Sequence, residues 1–367
     1  MKKNFLLAAL VLTSASLFAY NPPFGGEDML RFTNPELLSG SASASGGPLF
    51  NTFNKSPYTV PASIVYNPAL TAKEQRSVLN LSAGLLYDSN SDADAASFDT
   101  FGWGVQAGLL IPTKYFVFST STQALFADDM RADLGDSLVV HLGLSKDVTE
   151  NLFVGANLYS GFYFANGNDF TLGADLGLLY LFKHNLGILK NPRFGLAFLN
   201  IGKPLGDSYD VMGLDYSSDS TGFPSAFTPC VSFASTLFNL GKLNGGFSGD
   251  LSFPHFQNLV FDTAFAVGIS NESGTNIFSA SLGWNFNMKE YNEIDKLNWP
   301  SLGLNARIII SSKKIASSNK DWEQSEIVPA AAWQNVYDGF HVFTGGATLN
   351  LGQLDTASPE IILWDDK

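Results

Sequence analysis

From about Val78 onward, apolar residues alternate with small or polar ones over runs of ten or more positions. Period-two spacing is that of β-strands, whose successive side chains face opposite sides. Three runs show it best. In Phe101 to Ile111 one face is Phe101, Trp103, Val105, Ala107, Leu109 and Ile111, with Gly102, Gly104, Gln106, Gly108 and Leu110 opposite. In Leu152 to Phe164 the apolar face runs Leu152, Val154, Ala156, Leu158, Ser160, Phe162, Phe164, with Asn157 and Tyr159 behind it. In Phe170 to Phe182 the even positions are apolar, and Thr171, Gly173, Asp175 and Gly177 lie opposite. Strands of soluble sandwiches average about five or six residues. These are twice as long and carry aromatics near their ends, as lipid-facing strands with interfacial girdles do. The pattern predicts an all-β chain, a transmembrane antiparallel β-barrel.

The alternation places strands at about 78–87, 100–111, 115–126, 137–147, 151–164, 170–182, 192–201, 226–239, 244–254, 258–270, 275–288, 301–312, 326–335 and 339–351. That is about fourteen, an even number as bacterial barrels have. The run 326–335, with Pro329 and three alanines, is the weakest, which leaves twelve open. Links 112–114, 148–150, 240–243 and 271–274 are short, whereas 88–99, 127–136, 202–225 and 289–300 are long and fall on the other side. The segment 313–325 is too long for the short side. Several long links are acidic (Asp88, Asp92, Asp94, Asp99; Asp128, Asp129, Asp133, Asp136; Asp207, Asp210, Asp215, Asp219). None has the spacing of a twelve-residue calcium loop, so they read as a solvated outer surface. The third strand has Thr120 and Thr122 on its apolar face and Ser119, Ser121 and Gln123 on the other. That predicts a bend or lateral opening, or a strand covered by a loop.

The first residues differ. Met1-Lys2-Lys3 precedes an apolar stretch and Leu17-Phe18-Ala19, the form of a cleaved secretory signal peptide. Cleavage is placed after Ala19, with Ala15 or Ser16 as alternatives. Residues 20–76 are rich in Pro, Gly, Ser and Asn without alternation, and read as an irregular or partly helical segment. The expected organisation is signal peptide 1–19, N-terminal hatch or plug 20–76, barrel 77–352 and polar tail 353–367. The tail does not finish on the aromatic residue that many outer-membrane barrels carry as an assembly signal.

Composition agrees with the pattern. The chain has 34 Gly and 31 Phe among 367 residues, only 15% charged, and a mean hydropathy just above zero. A net charge of −13 excludes nucleic acid as a partner. The single cysteine, Cys230, makes no intrachain disulfide and reads as a small apolar residue in a strand. Four histidines (His141, His184, His255, His341) show no metal-ligand spacing, and neither a GxSxG elbow nor a Walker loop occurs. No enzyme, metal or cofactor is expected. The informative residues are polar groups on the inward faces of strands: Asp175, Asp250, Asp262, Arg307, His141 and Tyr159. The plain reading is that they pair with one another or with the N-terminal segment. The sharper reading is that Arg307 holds a carboxylate headgroup.

The stretch Pro61-Ala62-Ser63-Ile64-Val65-Tyr66-Asn67-Pro68-Ala69-Leu70 resembles the (Y/F)NPA signature in the N-terminal plug of FadL-like outer-membrane transporters. The Gly/Ala/Ser-rich lead-in from Ser39 to Gly47 is similar to members of that superfamily, and the ending around Gly352–Thr356 and Pro359–Ile361 is similar to the spirochaete (treponemal) FadL-like proteins, the closest resemblance. The resemblance implies a monomeric fourteen-stranded barrel in the cell outer membrane, plugged by a hatch that contains Asn67, Pro68 and Ala69. It implies uptake of long-chain fatty acids or other hydrophobic small molecules through a dry, apolar-lined tunnel. Outer-membrane lipid and the barrel-assembly machinery are the other implied partners. Two alternatives stay open: a PorV-like barrel that escorts secreted proteins, and a surface-exposed structural or adhesive barrel.

Overall fold

A computed structural model describes residues 33–35, 43–51, 56–74, 76–89, 100–113, 115–127, 130, 136–164, 168–203, 227–253, 259–271, 276–289, 293–294, 301–309, 325–337 and 340–351. Fourteen strands form one closed antiparallel sheet. They are β1 (Ser77–Asp88), β2 (Phe101–Pro112), β3 (Val117–Phe126), β4 (Asp136–Asp147), β5 (Leu152–Phe164), β6 (Asn168–Leu181) and β7 (Lys190–Lys203). The second half comprises β8 (Thr228–Leu240), β9 (Leu243–Ser252), β10 (Leu259–Ser270), β11 (Asn276–Lys289), β12 (Ser301–Ala306, resuming at Ile308–Ile309), β13 (Glu326–Tyr337) and β14 (Phe340–Leu351). Each pairs with its sequence neighbours, and β14 closes on β1 over twelve residue pairs from Phe340↔Asp88 to Leu351↔Ser77. Closure removes every unpaired edge, which a sheet in hydrocarbon requires.

Alternation sets the two faces. On β5, Leu158 is 63% exposed, whereas its neighbour Asn157 is fully buried. Outward positions on β1, β2, β4 and β6 are large and apolar, as lipid contact demands. Toward the long-link end they become aromatic. Tyr87 stands 5.3 Å from Phe101, Trp103 stacks on Phe126 at 4.2 Å, and Trp333 stacks on His341 at 6.0 Å. These rings form an interfacial row. Gly241 (φ 65°) supplies the left-handed backbone of the two-residue turn joining β8 to β9.

The strand count settles at fourteen, and the doubted run 326–335 is β13, paired with β14 along its whole length. The structure corrects three expectations. The third strand is neither bent nor open: β3 pairs with β2 from Trp103↔Phe126 to Pro112↔Val117 and with β4 from Val117↔Ser145 to Leu125↔Ser137. Threonine is a good strand former, so Thr120 and Thr122 weaken the apolar face without breaking the ladder. The strand expected over 301–312 is instead interrupted at Arg307, where by register Ala306 faces Pro329, a residue without an N–H. The lumen, finally, is not apolar-lined. Its inward positions are largely Ser, Thr, Asn and Gly. The expected signal peptide, most acidic link residues, His255 and the tail 353–367 lie outside the described residues.

Candidate functional site

The described part of the N-terminal segment runs inside the barrel. Its regular pieces are two 3-10 turns, Pro61–Val65 and Pro68–Lys73, and a short ladder pairing Phe50–Asn51 with Ser56–Pro57. Asn67 organises it. The Asn67 Oδ1 accepts from Ala69 N (2.9 Å), which caps the second turn, while Nδ2 donates to Ala44 O (2.7 Å) and to Leu178 O on β6 (2.9 Å). Pro68 occupies the first turn position, where its missing N–H costs nothing. Ala69 is fully buried. The Asn-Pro-Ala triplet thus caps the turn, starts it and fits it against the wall.

The wall is carved to receive this segment. A Cβ built on Gly177 would lie 1.9 Å from Asn67 Oδ1, and one on Gly155 2.3 Å from the Pro68 carbonyl carbon. The same holds at Gly195 and Gly246, each 2.1 Å from a backbone oxygen (Ala44 and Pro48), and at Gly108, 2.8 Å from Pro61. These glycines sit on β2, β5, β6, β7 and β9, so the seat spans more than half the circumference. Around it Val60, Tyr66, Leu70, Phe153, Leu179 and Leu181 form an apolar cluster between segment and wall.

Charged and polar contacts complete the attachment. The fully buried Arg193 on β7 donates to the carbonyl oxygens of Ser45 (3.1 Å), Gly47 and Leu49 (3.0 Å), and its guanidinium lies 5.3 Å from the Phe50 ring centroid. Asp250 on β9 accepts from Ala44 N (3.0 Å) and from Ser232, whose Oγ also accepts from Ser45 N. Thr71 bonds Ser145 at 2.8 Å. Higher in the lumen, Asn34 donates to Asn80, and Thr344 donates to the Thr33 carbonyl.

The residues singled out from the sequence fall into three groups. His141, Tyr159 and Asp175 come together on β4–β6. Asn157 Nδ2 bridges His141 Nδ1 (2.9 Å) and Asp175 Oδ2 (2.6 Å), while the Tyr159 ring lies 5.2 Å from the imidazole. Asp175 Oδ1 accepts from Asn200 N at a bulge where Asn200 adopts φ 59°. Asp262 faces Asp250 across β9–β10, apart from that cluster. Arg307 stands at the foot of β12, paired with Glu326 and 5.0 Å from the Tyr58 ring centroid. Glu326 is shared with Arg76 (2.9 Å), which also pairs with Glu74. Burial works against the charge on Arg76, and Glu74 and then Glu326 outweigh it, so its pKa rises. Burial also pushes the Tyr58 phenol up, with the Arg307 charge pulling the other way. Among the described residues no three His, Cys, Asp or Glu side chains gather as a metal site.

Sequence reasoning missed Arg193, Glu326, Arg76, Tyr58 and the glycine seat. Arg193 carries the same signal that exposed Asp175, a charge on the inward face of an alternating run. The glycines stood in plain view as the small partners of the apolar faces, but their common cause is a second segment, which alternation alone does not reveal.

No protein-family model matches the chain, and no curated protein matches it. Solved structures do. The chain is similar to a deltaS2 mutant of the TodX monoaromatic hydrocarbon channel, with TM-score 0.50 and 10% identity over 86% of this chain and 100% of that one. It is similar to the CymD monoaromatic hydrocarbon channel (TM-score 0.49, 10% identity, 89% and 98% covered) and to a FadL homologue from Pseudomonas aeruginosa (0.44, 14%, 87% and 97%). The likeness is one of fold.

Proposed function

We propose that the protein is an outer-membrane transporter that takes up long-chain fatty acids or other small hydrophobic compounds past a plug formed by residues within 20–76. The observation that carries this reading is the glycine seat. An open pore has no use for a wall shaped, strand by strand, to a segment lying across its lumen. The lipid-facing belt and closed sheet support the membrane location. The fold shared with a hydrocarbon-channel mutant supports a hydrophobic cargo, the Asn67–Ala69 motif supports kinship with FadL-like barrels, and the ending around Gly352–Thr356 supports the spirochaete group among them.

The test is binding of radiolabelled oleate to the refolded, heat-modifiable barrel, beside an Arg307→Ala variant. Saturable micromolar binding is expected, weakened in the variant. A folded barrel without saturable binding would overturn the fatty-acid reading and turn attention to the escort or adhesive alternatives.

A further inference from the structure

The seat is one-sided. Every glycine that makes room for the N-terminal segment lies on β2 to β9, and the clamps Arg193 and Asp250 lie on β7 and β9. On the opposite side, toward β10–β14, the segment leaves a cavity of about 60 Å³. One face is apolar and comes from the segment, through Pro48, Leu49 and Val60. The other comes from the wall and offers Ser281, Asn305 and Thr348. A few waters fill such a space, whereas even benzene takes a cavity of roughly 150 Å³, so the structure holds this side closed.

Two buried donors on the cavity lining have no partner: Arg307 Nε and Asn276 Nδ2. Both carry their other bonds elsewhere. Arg307 Nη1 is on Glu326, and Asn276 Oδ1 takes bonds from Asn244 and Ser270. Native interiors rarely leave donors unmet, since each costs about 1–3 kcal/mol. Tyr58 links the two, its ring over Arg307 and its hydroxyl accepting from Asn276 N (3.3 Å).

We propose that solute passes the plug eccentrically, through this slot between the N-terminal segment and β10–β14, with Arg307 and Asn276 receiving an acceptor oxygen on an otherwise apolar solute and Tyr58 closing the foot of the path. The idea rests on the transport reading above and adds where the path runs and what it selects. On this flank the segment is held by Tyr58, against Arg307 and Asn276, and by the Thr33 carbonyl on Thr344, whereas Arg193, Asp250 and the Asn67 and Thr71 bonds hold the other, so widening here breaks the fewer contacts. The slot pairs a hydrocarbon surface with a hydrogen-bonding one, so a solute with an apolar body and one carbonyl, carboxylate or nitro group satisfies both faces. A bare hydrocarbon leaves the two donors unmet.

The experiment has two arms. In a Cys230→Ser background, Ser281→Cys in the slot and Ser145→Cys beneath the seat are reacted with a fluorescent maleimide in folded, heat-modifiable barrels. The slot cysteine is expected to label at least tenfold faster, and Tyr58→Ala to quicken it further. Equal rates, or faster labelling at Ser145→Cys, would overturn the slot. In the second arm, cells carrying the barrel take up radiolabelled 1-naphthoate and naphthalene, which share a ring system and differ in the carboxylate. Wild type is expected to favour naphthoate about tenfold, Arg307→Met to erase the preference, and maleimide-blocked Ser281→Cys to carry neither. Undiminished uptake through the blocked variant overturns the path, and a preference surviving Arg307→Met overturns the selection. Should the wild type carry neither solute, these cargoes and the path drawn for them fall together, and the labelling rates still decide whether the slot is the loosely held side.

Discussion

At the scale of single residues, the attachment of the N-terminal segment depends on a few atoms that tolerate no substitute. Asn67 offers an acceptor to Ala69 N and two donors to the carbonyls of Ala44 and Leu178. Asn67→Asp keeps the shape and turns both donors into acceptors aimed at carbonyl oxygens. With each buried group left unmet costing about 1–3 kcal/mol, the variant should release the segment while the barrel stays folded. Trypsin cleavage at Lys73 or Arg76 in folded barrel should begin at clearly lower urea than in wild type. Gly177→Val should do the same, since even a Cβ there would overlap Asn67. Gly249→Ala is the control: its Cβ would meet nothing nearer than 3.6 Å, and neither cleavage nor folding should change. Release by Gly249→Ala as readily as by Gly177→Val, or by neither glycine variant, would remove the seat as an explanation.

At the scale of elements, the lipid contract explains why so much of the barrel could be read from the chain. A strand facing hydrocarbon on one side must repeat an apolar residue every second position for its whole span, and that repeat survives in Phe101–Ile111, Leu152–Phe164 and Phe170–Phe182 without any knowledge of neighbours. The weak thirteenth run was obscured because Ala330–Ala332 and Pro329 supply little amphipathic contrast, although β13 pairs fully with β14. The inner segment was legible as an absence of alternation and in the Asn67-Pro68-Ala69 motif. What holds it, through Arg193, Asp250 and the glycines, depends on contacts between residues far apart in the chain, such as Ser45 with Arg193 and Ala44 with Asp250, which no local periodicity encodes. The same lipid contract gives a prediction. Leu158, mid-strand and 63% exposed, belongs to the belt, and an arginine at the bilayer midplane of a barrel costs about 2–4 kcal/mol. Leu158→Arg should lower the urea midpoint of refolding into vesicles by an amount of that order. The neutral Ser160 already stands on the same face, but a charge does not belong there, so an unchanged midpoint for Leu158→Arg would put that surface in contact with something other than lipid.

At the scale of the molecule, a closed wall and an inner segment divide the work. The wall spans, the segment lies within it, and on the proposed reading the segment seals; among the contacts that join the two, one side chain gathers three backbone carbonyls. Arg193 gathers those of Ser45, Gly47 and Leu49 with a planar fork of donors. Lysine carries the same charge as a single point and cannot meet three carbonyls in fixed directions. Arg193→Lys should therefore loosen the segment without unseating it, and deletion of residues 20–60 should remove the Arg193 and Asp250 attachments altogether. In planar bilayers the expected order of small-ion conductance is wild type lowest, Arg193→Lys higher and noisier, and the deletion highest and steady. The order matters more than the size, because the wall is the same in all three and only the obstruction changes. If the deleted protein migrates as a folded barrel and conducts no better than wild type, the segment is lining rather than seal, and transport must be sought outside the lumen.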